Sequence, residues 1–549
     1  MPVRAGSDTL PAPPLKRKRI NDNHYHLAPA HPIGVKPSGN ALFAQSIRST
    51  SLGLLDALSD EELVYIFSLL EPKDWARIQA VSHACRAFAL HESHWKEAVV
   101  VKTGGHLKSW NRSWRRTYIE HFYPNTTSVD KTLPPIRVKG LFSDALFLPL
   151  QLACTPLEQY IPSEKPGKRL ARLMDRVKAS TLGREGFLKQ YLSLGKPCLI
   201  IEDAAQNQLP SWTLKDLADL YGTRRIRAEA LTMPMSCYVD YARSCQEDNN
   251  GWIPDESPFY LFDPTLAKTM QKQGSFVVPA VLTKEGGSDH GVMRRDWDLF
   301  SLLQEQRPDH AWIIAGPGRS GSGWHVDPNS TSAFNTVLSG RKLWMLLPPN
   351  ATPPGVFISS DGSSVTAPLS IIEWLINFWN DCIRFHGRKG DDTLLIDVCS
   401  AGETIFVPAG WKHLVINLEE SVAFTQNFAG TAELPMVLDM FKNRPEQISG
   451  FRLGKVKAEK KALFQLFVDR LRQFDSKLVE EGLRGMYSLE QKKKQQASAL
   501  ASVSIAKERQ KAGDASSLWT SLKNEASSMK YDSGFSFDLG DDYDEETIL

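Results

Sequence analysis

Between residues 275 and 430 the apolar positions fall in short runs punctuated by Gly, Pro and Asn. Ala311-Trp312-Ile313-Ile314, Lys342-Leu343-Trp344-Met345-Leu346-Leu347 and Thr404-Ile405-Phe406-Val407 are examples. Such punctuation predicts the strands of an antiparallel jelly-roll or cupin barrel. One stretch departs from it. Ile371, Ile372, Trp374, Leu375 and Phe378 recur at helical spacing, which predicts a helix within residues 366–390, inserted between the halves of the barrel. Upstream, residues 52–98 carry a helical period throughout. Ser59 and Glu62 have the spacing of a capping box, and Leu63, Ile66, Phe67 and Leu70 form one apolar stripe behind it. Pro72-Lys73-Asp74 breaks the chain and opens a second helix with Trp75, Ile78 and Val81. A third begins near Ser82 and carries Phe88 and then Trp95.

The remaining segments frame these two. Residues 1–48 lack an apolar period and read as a disordered tail. Residues 96–122 keep Trp110, Trp114 and Tyr118 and complete the helical unit, which spans 49–123. Residues 124–184 read as a linker, with Pro134-Pro135 and a polar, basic run at 165–176. Residues 185–274 lead into the barrel: a helix at 187–191, a buried strand at Cys198-Leu199-Ile200-Ile201, and a helix from Trp212 to Leu217. The barrel occupies 275–435 and helices occupy 436–510, with Phe464, Phe467, Val468, Leu471 and Leu478 on one face. Residues 511–549 form a disordered tail, acidic at 538–546. The expected class is α+β multidomain.

Composition narrows the setting. A chain of 549 residues allows about three or four domains. The net charge of +2 gives no indication of wholesale nucleic-acid binding, so any basic patch must be local. Seven cysteines without a CxxC pair suit a reducing compartment rather than a disulfide framework or zinc ribbon. No apolar run reaches the roughly 18 residues of a membrane span, and no membrane role is expected. The block Pro14-Leu15-Lys16-Arg17-Lys18-Arg19 has the form of a nuclear-import signal. The expected compartment is the nucleus, with the cytosol as the other setting.

The chemistry concentrates in two stretches: GPGRSGSGWHVDPNSTSAFNTVLSGRKLW (316–344) and AGETIFVPAGWKHLVINLEESVAFTQNFAG (401–430). His325 and Asp327 sit two apart, and residues two apart on a strand project to one face. With His413 from the second stretch they make two imidazoles and a carboxylate, the donor set of a non-haem Fe(II) oxygenase that leaves other positions open.

These stretches resemble the jumonji-C family of Fe(II)/2-oxoglutarate oxygenases. Within it they are most similar to the lysyl-hydroxylase branch once called phosphatidylserine receptors. The resemblance covers residues 185–435 and extends to Tyr238-Val239-Asp240-Tyr241 and Ser257-Pro258-Phe259-Tyr260-Leu261-Phe262-Asp263. It implies a double-stranded β-helix barrel with flanking helices. It also implies His325, Asp327 and His413 as iron ligands and catalytic residues, with 2-oxoglutarate and O2 as co-substrates. Lys342 matches the family's 2-oxoglutarate lysine, a cation for the distal carboxylate. Asn335, Ser322, Tyr260 and Thr425 match hydrogen-bonding positions around that ligand, Ser322 standing where threonine is usual. Trp312 and Asn427 match positions near substrate or metal, and Asn427 is grouped with the co-substrate set. Lys412 replaces the branch's aromatic residue before the last histidine; it and the inserted helix are expected to border the substrate opening.

Leu55, Leu58, the run Asp60-Glu61-Glu62-Leu63, Ile66-Phe67, Pro72, Asp74, Val81-Ser82 and Cys85-Arg86 resemble an F-box. That resemblance implies docking of residues 52–98 on a Skp-type adaptor of a cullin-RING ubiquitin ligase. The expected function is Fe(II)- and 2-oxoglutarate-dependent hydroxylation of a protein with basic side chains, lysine first, coupled to such a ligase. Two alternatives stand beside it: an N-methyl-lysine or arginine demethylase, and an F-box adaptor whose barrel only binds. The intact triad and Lys342 weigh against the last.

Overall fold

Short alternating runs become strands because each can bury one face against a different core. β1 (Asp175–Lys178), β2 (Cys198–Ile201), β3 (Arg225–Ala228), β4 (Leu231–Pro234) and β5 (Leu261–Asp263) precede the barrel. Its first half is β6 (Ala311–Gly316), β7 (Gly321–His325), β8 (Ser332–Ser339) and β9 (Arg341–Leu347). A short antiparallel pair, β10 (Phe357–Ile358) and β11 (Val365–Thr366), intervenes. The second half is β12 (Leu395–Ser400), β13 (Glu403–Val407), β14 (Lys412–Asn417) and β15 (Ser421–Phe428). The structure, a computed structural model, describes residues 30–124, 136–163, 165–202, 209–245, 255–283, 293, 297–359, 365–452 and 460–495. The basic block at 14–19 and the acidic tail at 538–546 lie outside the described residues.

The larger sheet has the order β1-β2-β13-β8-β15-β6-β5-β3-β4, and the smaller β12-β9-β14-β7. Successive barrel strands alternate between them except at the middle, where β9 and β12 are antiparallel neighbours in the smaller sheet, the connectivity of a double-stranded β-helix. Gly340, at φ +76°, makes the sharp link from β8 to β9; a Cβ there would collide with the Glu420 carbonyl.

Period-two alternation divides the apolar residues among three cores. Facing into the barrel are Ile314, Val337, Trp344, Leu346, Ile405, Val415 and Ala423. The outer face of the larger sheet, with Phe334, Phe406, Phe424 and Phe428, joins a core that runs into the N-terminal helices. The outer face of the smaller sheet, with Leu343, Met345, Leu414 and Ile416, is covered by the helix Ile371–His386 through Ile372, Trp374 and Leu375. That helix therefore closes the back of the barrel and does not border its opening, contrary to the expectation from sequence.

The N-terminal helices are Asp60–Ser68, Pro72–Ile78, His83–Ala89, Glu92–Lys102 and Trp114–Phe122. Ser59 and Glu62 exchange the two hydrogen bonds of the capping box, at 3.1 and 2.7 Å. Trp75 donates to the Phe67 carbonyl at 2.7 Å and meets Trp95 edge-on. The unit is fused to the catalytic region. Leu107 N–H donates to the Thr232 carbonyl at 3.1 Å, and the Trp110 and Trp114 rings pack on Tyr241.

The stretch read as a linker is partly a packed element. Helix Asp144–Cys154 buries Leu146, Leu150 and Leu152. Pro149 inside it breaks the helical signature at the level of sequence. β1 also joins the larger sheet upstream of residue 185, where the catalytic region was expected to begin. Beyond the barrel, Phe441 in Leu434–Asn443 and Phe467 in Lys460–Phe474 cluster with Phe300 and Phe451. Residues 480–549 form a second unit, of which 480–495, a helix, are described.

Candidate metal centre and anion pocket

β7 and β14 pair antiparallel with His413 directly opposite His325, and the ring centroids are 4.1 Å apart. His325 is the last residue of its strand. Asp327 lies beyond it, in extended backbone at φ −60°, ψ 136°. The expectation of both on one strand is thus met only in spacing, yet one donor atom from each of His325, Asp327 and His413 lies within 4.8 Å of the others. Both imidazoles are held the same way. His325 Nδ1 is 2.7 Å from the Gly323 carbonyl and His413 Nδ1 is 3.1 Å from that of Trp411. A carbonyl can only accept, so Nδ1 carries the proton and each Nε2 presents a lone pair. Burial, and then the neighbouring His325, push His413 down to about 4, against the opposite pull of Asp327. The ring is neutral at ordinary pH, the form a metal needs.

Between His413 and Val415 the register shifts: Val415 pairs with Ser322, three residues from His325. This bulge returns Ser322 to the barrel face that Val415 shares. Without it, a residue three positions from His325 would point outward.

Deeper in the barrel, Lys342 is directly opposite Asn417 on one side and Cys399 on the other. It is 0 % exposed. Its Nζ donates to Tyr260 Oη at 2.9 Å and to Asn417 Oδ1 at 2.7 Å. Among the described residues no carboxylate pairs with it. Burial pushes the ammonium down to about 7. A buried cation with neutral partners is costly by several kcal/mol and calls for an anion, which would raise its pKa again.

Asn335, Thr425 and Trp312 stand in one row across β8, β15 and β6. Asn335 is buried, and its Oδ1 lacks a hydrogen-bond partner among the described residues. Turned over, the amide presents its two N–H donors to the same space. Thr425 donates to the Phe334 carbonyl at 2.9 Å. Asn427 lies two residues on and donates to Thr331 Oγ1 at 3.0 Å, towards the loop that carries Asp327.

Lys412 differs from expectation. It pairs with Leu347 and points to the outer face, where it is buried and donates to the Pro349 carbonyl at 2.7 Å. It does not line the opening, because alternation sends it opposite to His413. Asn417 is the residue that sequence reasoning passed over. Its Nδ2 donates to Ser320 Oγ at 3.0 Å and to the Gly316 carbonyl at 3.3 Å, which aims Oδ1 at Lys342. The signal was available: His413, Val415 and Asn417 share a face, and a buried Asn there needs partners.

The JmjC domain, hydroxylase, family matches residues 312–428. The chain is 36% identical over 431 residues to the arginine-specific demethylase JMJ22 of Arabidopsis thaliana, covering 77% of this chain and 78% of that one. The chain belongs to the JmjC family. It is 30% identical over 408 residues to the lysine-specific demethylase JMJ21 of the same plant, covering 72% of this chain and 39% of that one. It is 31% identical over 244 residues to the bifunctional arginine demethylase and lysyl-hydroxylase psr-1 of Caenorhabditis elegans, covering 43% and 56%. The protein is accordingly a 2-oxoglutarate-dependent dioxygenase that works with Fe(II), 2-oxoglutarate and O2. The residues present fit those groups. Two Nε2 lone pairs and a carboxylate converge, and the same barrel holds a buried ammonium without a carboxylate and an Asn335 amide oxygen without a partner, both among the described residues.

Proposed function

We propose that the protein oxygenates a C–H bond on or beside a basic side chain of a protein substrate, with lysyl hydroxylation as the first reading. The observation that carries it is the pairing of the His325–Asp327–His413 cluster with the buried, carboxylate-free Lys342 in one barrel. In this reading the triad holds the iron. Lys342 and Tyr260 take the distal carboxylate of 2-oxoglutarate, with Asn335, Ser322, Thr425 and Asn427 around it. When bound, iron and 2-oxoglutarate activate O2, with succinate and CO2 as by-products. The protein's own part is positional. The Gly323 and Trp411 carbonyls fix the imidazole tautomers, Lys342 neutralises the co-substrate, and the apolar lining of Ile314, Val337, Leu346 and Ile405 excludes water.

N-methyl-arginine demethylation is the second reading, supported by the likeness to the arginine-specific demethylase JMJ22 of Arabidopsis thaliana. It is the same oxygenation aimed at an N-methyl carbon. Succinate formation with Fe(II), 2-oxoglutarate and a library of lysine- and methylarginine-containing peptides separates them. A product heavier by one oxygen supports hydroxylation; loss of a methyl group supports demethylation.

The helical unit is proposed as the docking surface for a Skp-type adaptor. Tyr65 and Leu69, on and at the end of the helix Asp60–Ser68, and Leu54 in the turn ahead of it support this reading: they are exposed at 66, 67 and 98 %. The basic block at 14–19 supports nuclear import.

A further inference from the structure

The segment from Asp255 to Tyr260 belongs to neither helix nor strand. Pro258, Phe259 and Tyr260 are buried without a ladder, so side chains must satisfy the backbone there and fix its approach. Four do. Tyr241 Oη accepts from Phe259 N–H at 2.9 Å. Tyr238 Oη lies 2.9 Å from the Phe259 carbonyl and accepts from Leu261 N–H at 3.2 Å. Glu229 accepts from Tyr260 N–H at 3.0 Å. Asp255 accepts from Ser257 N–H at 3.2 Å and from Tyr241 Oη at 2.9 Å. The two tyrosines are each 1 % exposed or less.

Asp255 is also the point at which the N-terminal helices grip this segment. Lys96, on Glu92–Lys102, donates to both carboxylate oxygens at 3.0 Å and to the Ser257 carbonyl at 2.9 Å. Its Nζ stands 4.3 Å from the centre of the Phe259 ring. Trp114 Nε1 donates to the same carboxylate at 3.3 Å. A continuous chain of contacts thus runs from the helical unit through Asp255 and Tyr241 to the Phe259 backbone. The next residue is Tyr260, whose hydroxyl receives Lys342.

We propose that Asp255 and Tyr241 are positioning residues for the 2-oxoglutarate pocket, and that through them the seating of the N-terminal helical unit sets the affinity for 2-oxoglutarate. This rests on the reading that Lys342 and Tyr260 receive the co-substrate. Neither Asp255 nor Tyr241 touches Lys342; they act by fixing the backbone that carries Tyr260. A loosened segment would let Tyr260 withdraw from Lys342 and would leave the histidine–aspartate cluster in place, because that cluster hangs on β7, the turn that follows it and β14.

The experiment uses the full chain. Direct binding of 2-oxoglutarate is measured by calorimetry with Mn(II) in place of iron, alongside Mn(II) affinity, Tm, and KM and kcat with Fe(II). Tyr241→Phe and Asp255→Asn are expected to weaken 2-oxoglutarate about tenfold in both Kd and KM, with kcat at saturation and Mn(II) affinity within about twofold. Lys96→Ala is expected to weaken it in the same way, and Lys96→Arg to restore most of it. Phe467→Leu is the structural control. It thins the ring cluster that Phe467 makes with Phe300 and Phe441 beyond the barrel and is expected to lower Tm without moving the Kd. Unchanged Kd in Tyr241→Phe and Asp255→Asn overturns the proposal, as does an equal loss in Phe467→Leu. Lys342→Ala separates the layers. If it abolishes 2-oxoglutarate binding while Tyr241→Phe leaves it intact, the positioning role is wrong and the pocket stands. If Lys342→Ala binds normally, the pocket reading falls and the proposal falls with it.

Discussion

Asn417 controls the charge around Lys342. Its amide oxygen sits 2.7 Å from Nζ and is neutral, so the ammonium still lacks a counter-charge. Asn417→Asp would supply one from within the protein, at nearly unchanged volume. The expected outcome is a rise of about tenfold or more in KM for 2-oxoglutarate, because the new carboxylate competes for Lys342. Metal affinity and Tm should hold or improve. An unchanged KM would mean that Lys342 is not the anchor of the co-substrate. At this scale the sequence was readable where residue type and spacing carry the chemistry: His325, Asp327, His413 and Lys342 converge on the barrel interior. It was not readable where a neutral side chain acts through another residue, as Asn417 does. It misled at Lys412, because a departure from the family pattern says nothing about which face the residue occupies; pairing with Leu347 decides that.

Among the elements, the helix Asp60–Ser68 shows how far periodicity goes. Its start was legible from Ser59 and Glu62. The stripe of Leu63, Ile66, Phe67 and Leu70 was legible as apolar, but its division between core and surface was not. Leu63 and Phe67 are buried, whereas Ile66 is 39 % exposed and lies beside exposed Tyr65 and Leu69. The two sets should separate in experiment. Tyr65→Ala with Leu69→Ala is expected to abolish capture of a purified Skp-type adaptor while Tm moves little. Leu63→Ala is expected to cost about 2–5 kcal/mol of stability, the usual loss for a core leucine. Adaptor capture that survives the double substitution would remove the F-box reading. The bulge in β7 was equally invisible beforehand, since alternation alone sends Ser322 outward; the register with Val415 brings it in. The inserted helix was foreseen as an element, and its placement behind the smaller sheet depended on long-range packing of Trp374 on Trp324.

Across the whole molecule, buried ionisable groups set the pH response. Burial pushes His31 and His91 down to about 4, and His94 and His310 to about 3. Each stays neutral in the fold while the unfolded chain binds a proton below about 6.5, so stability drops as pH falls from 6.5 towards 4. Burial pushes Glu92 up to about 8, and Glu202 and Glu256 to about 7. These bind a proton in the fold that the unfolded chain has already released, so their contribution falls from about pH 4.5 upward and is gone by about 7 to 8. The two sets oppose one another between about pH 4.5 and 6.5; the four histidines outnumber the three carboxyls, so Tm is predicted to fall as pH drops from about 6.5 to 5, while above about pH 7 the burial-lowered Lys342 offsets the carboxyls. A Tm profile measured from about pH 5 to 8 checks this; a flat profile from about pH 6.5 to 5, or a rise, contradicts it. The class of the molecule, helices ahead of a barrel, was legible from the change of period near residue 275. The fusion of the two was not, because Lys96 and Asp255 are 159 residues apart and an ion pair leaves no local mark. The assembly as a whole answers to one assay, Fe(II)-dependent conversion of 2-oxoglutarate to succinate stimulated by a basic peptide, run on the full chain beside His325→Ala. The structure predicts turnover by the wild type and loss of at least about a hundredfold in the variant. Equal rates, or none in either, would contradict an iron centre built from His325, Asp327 and His413.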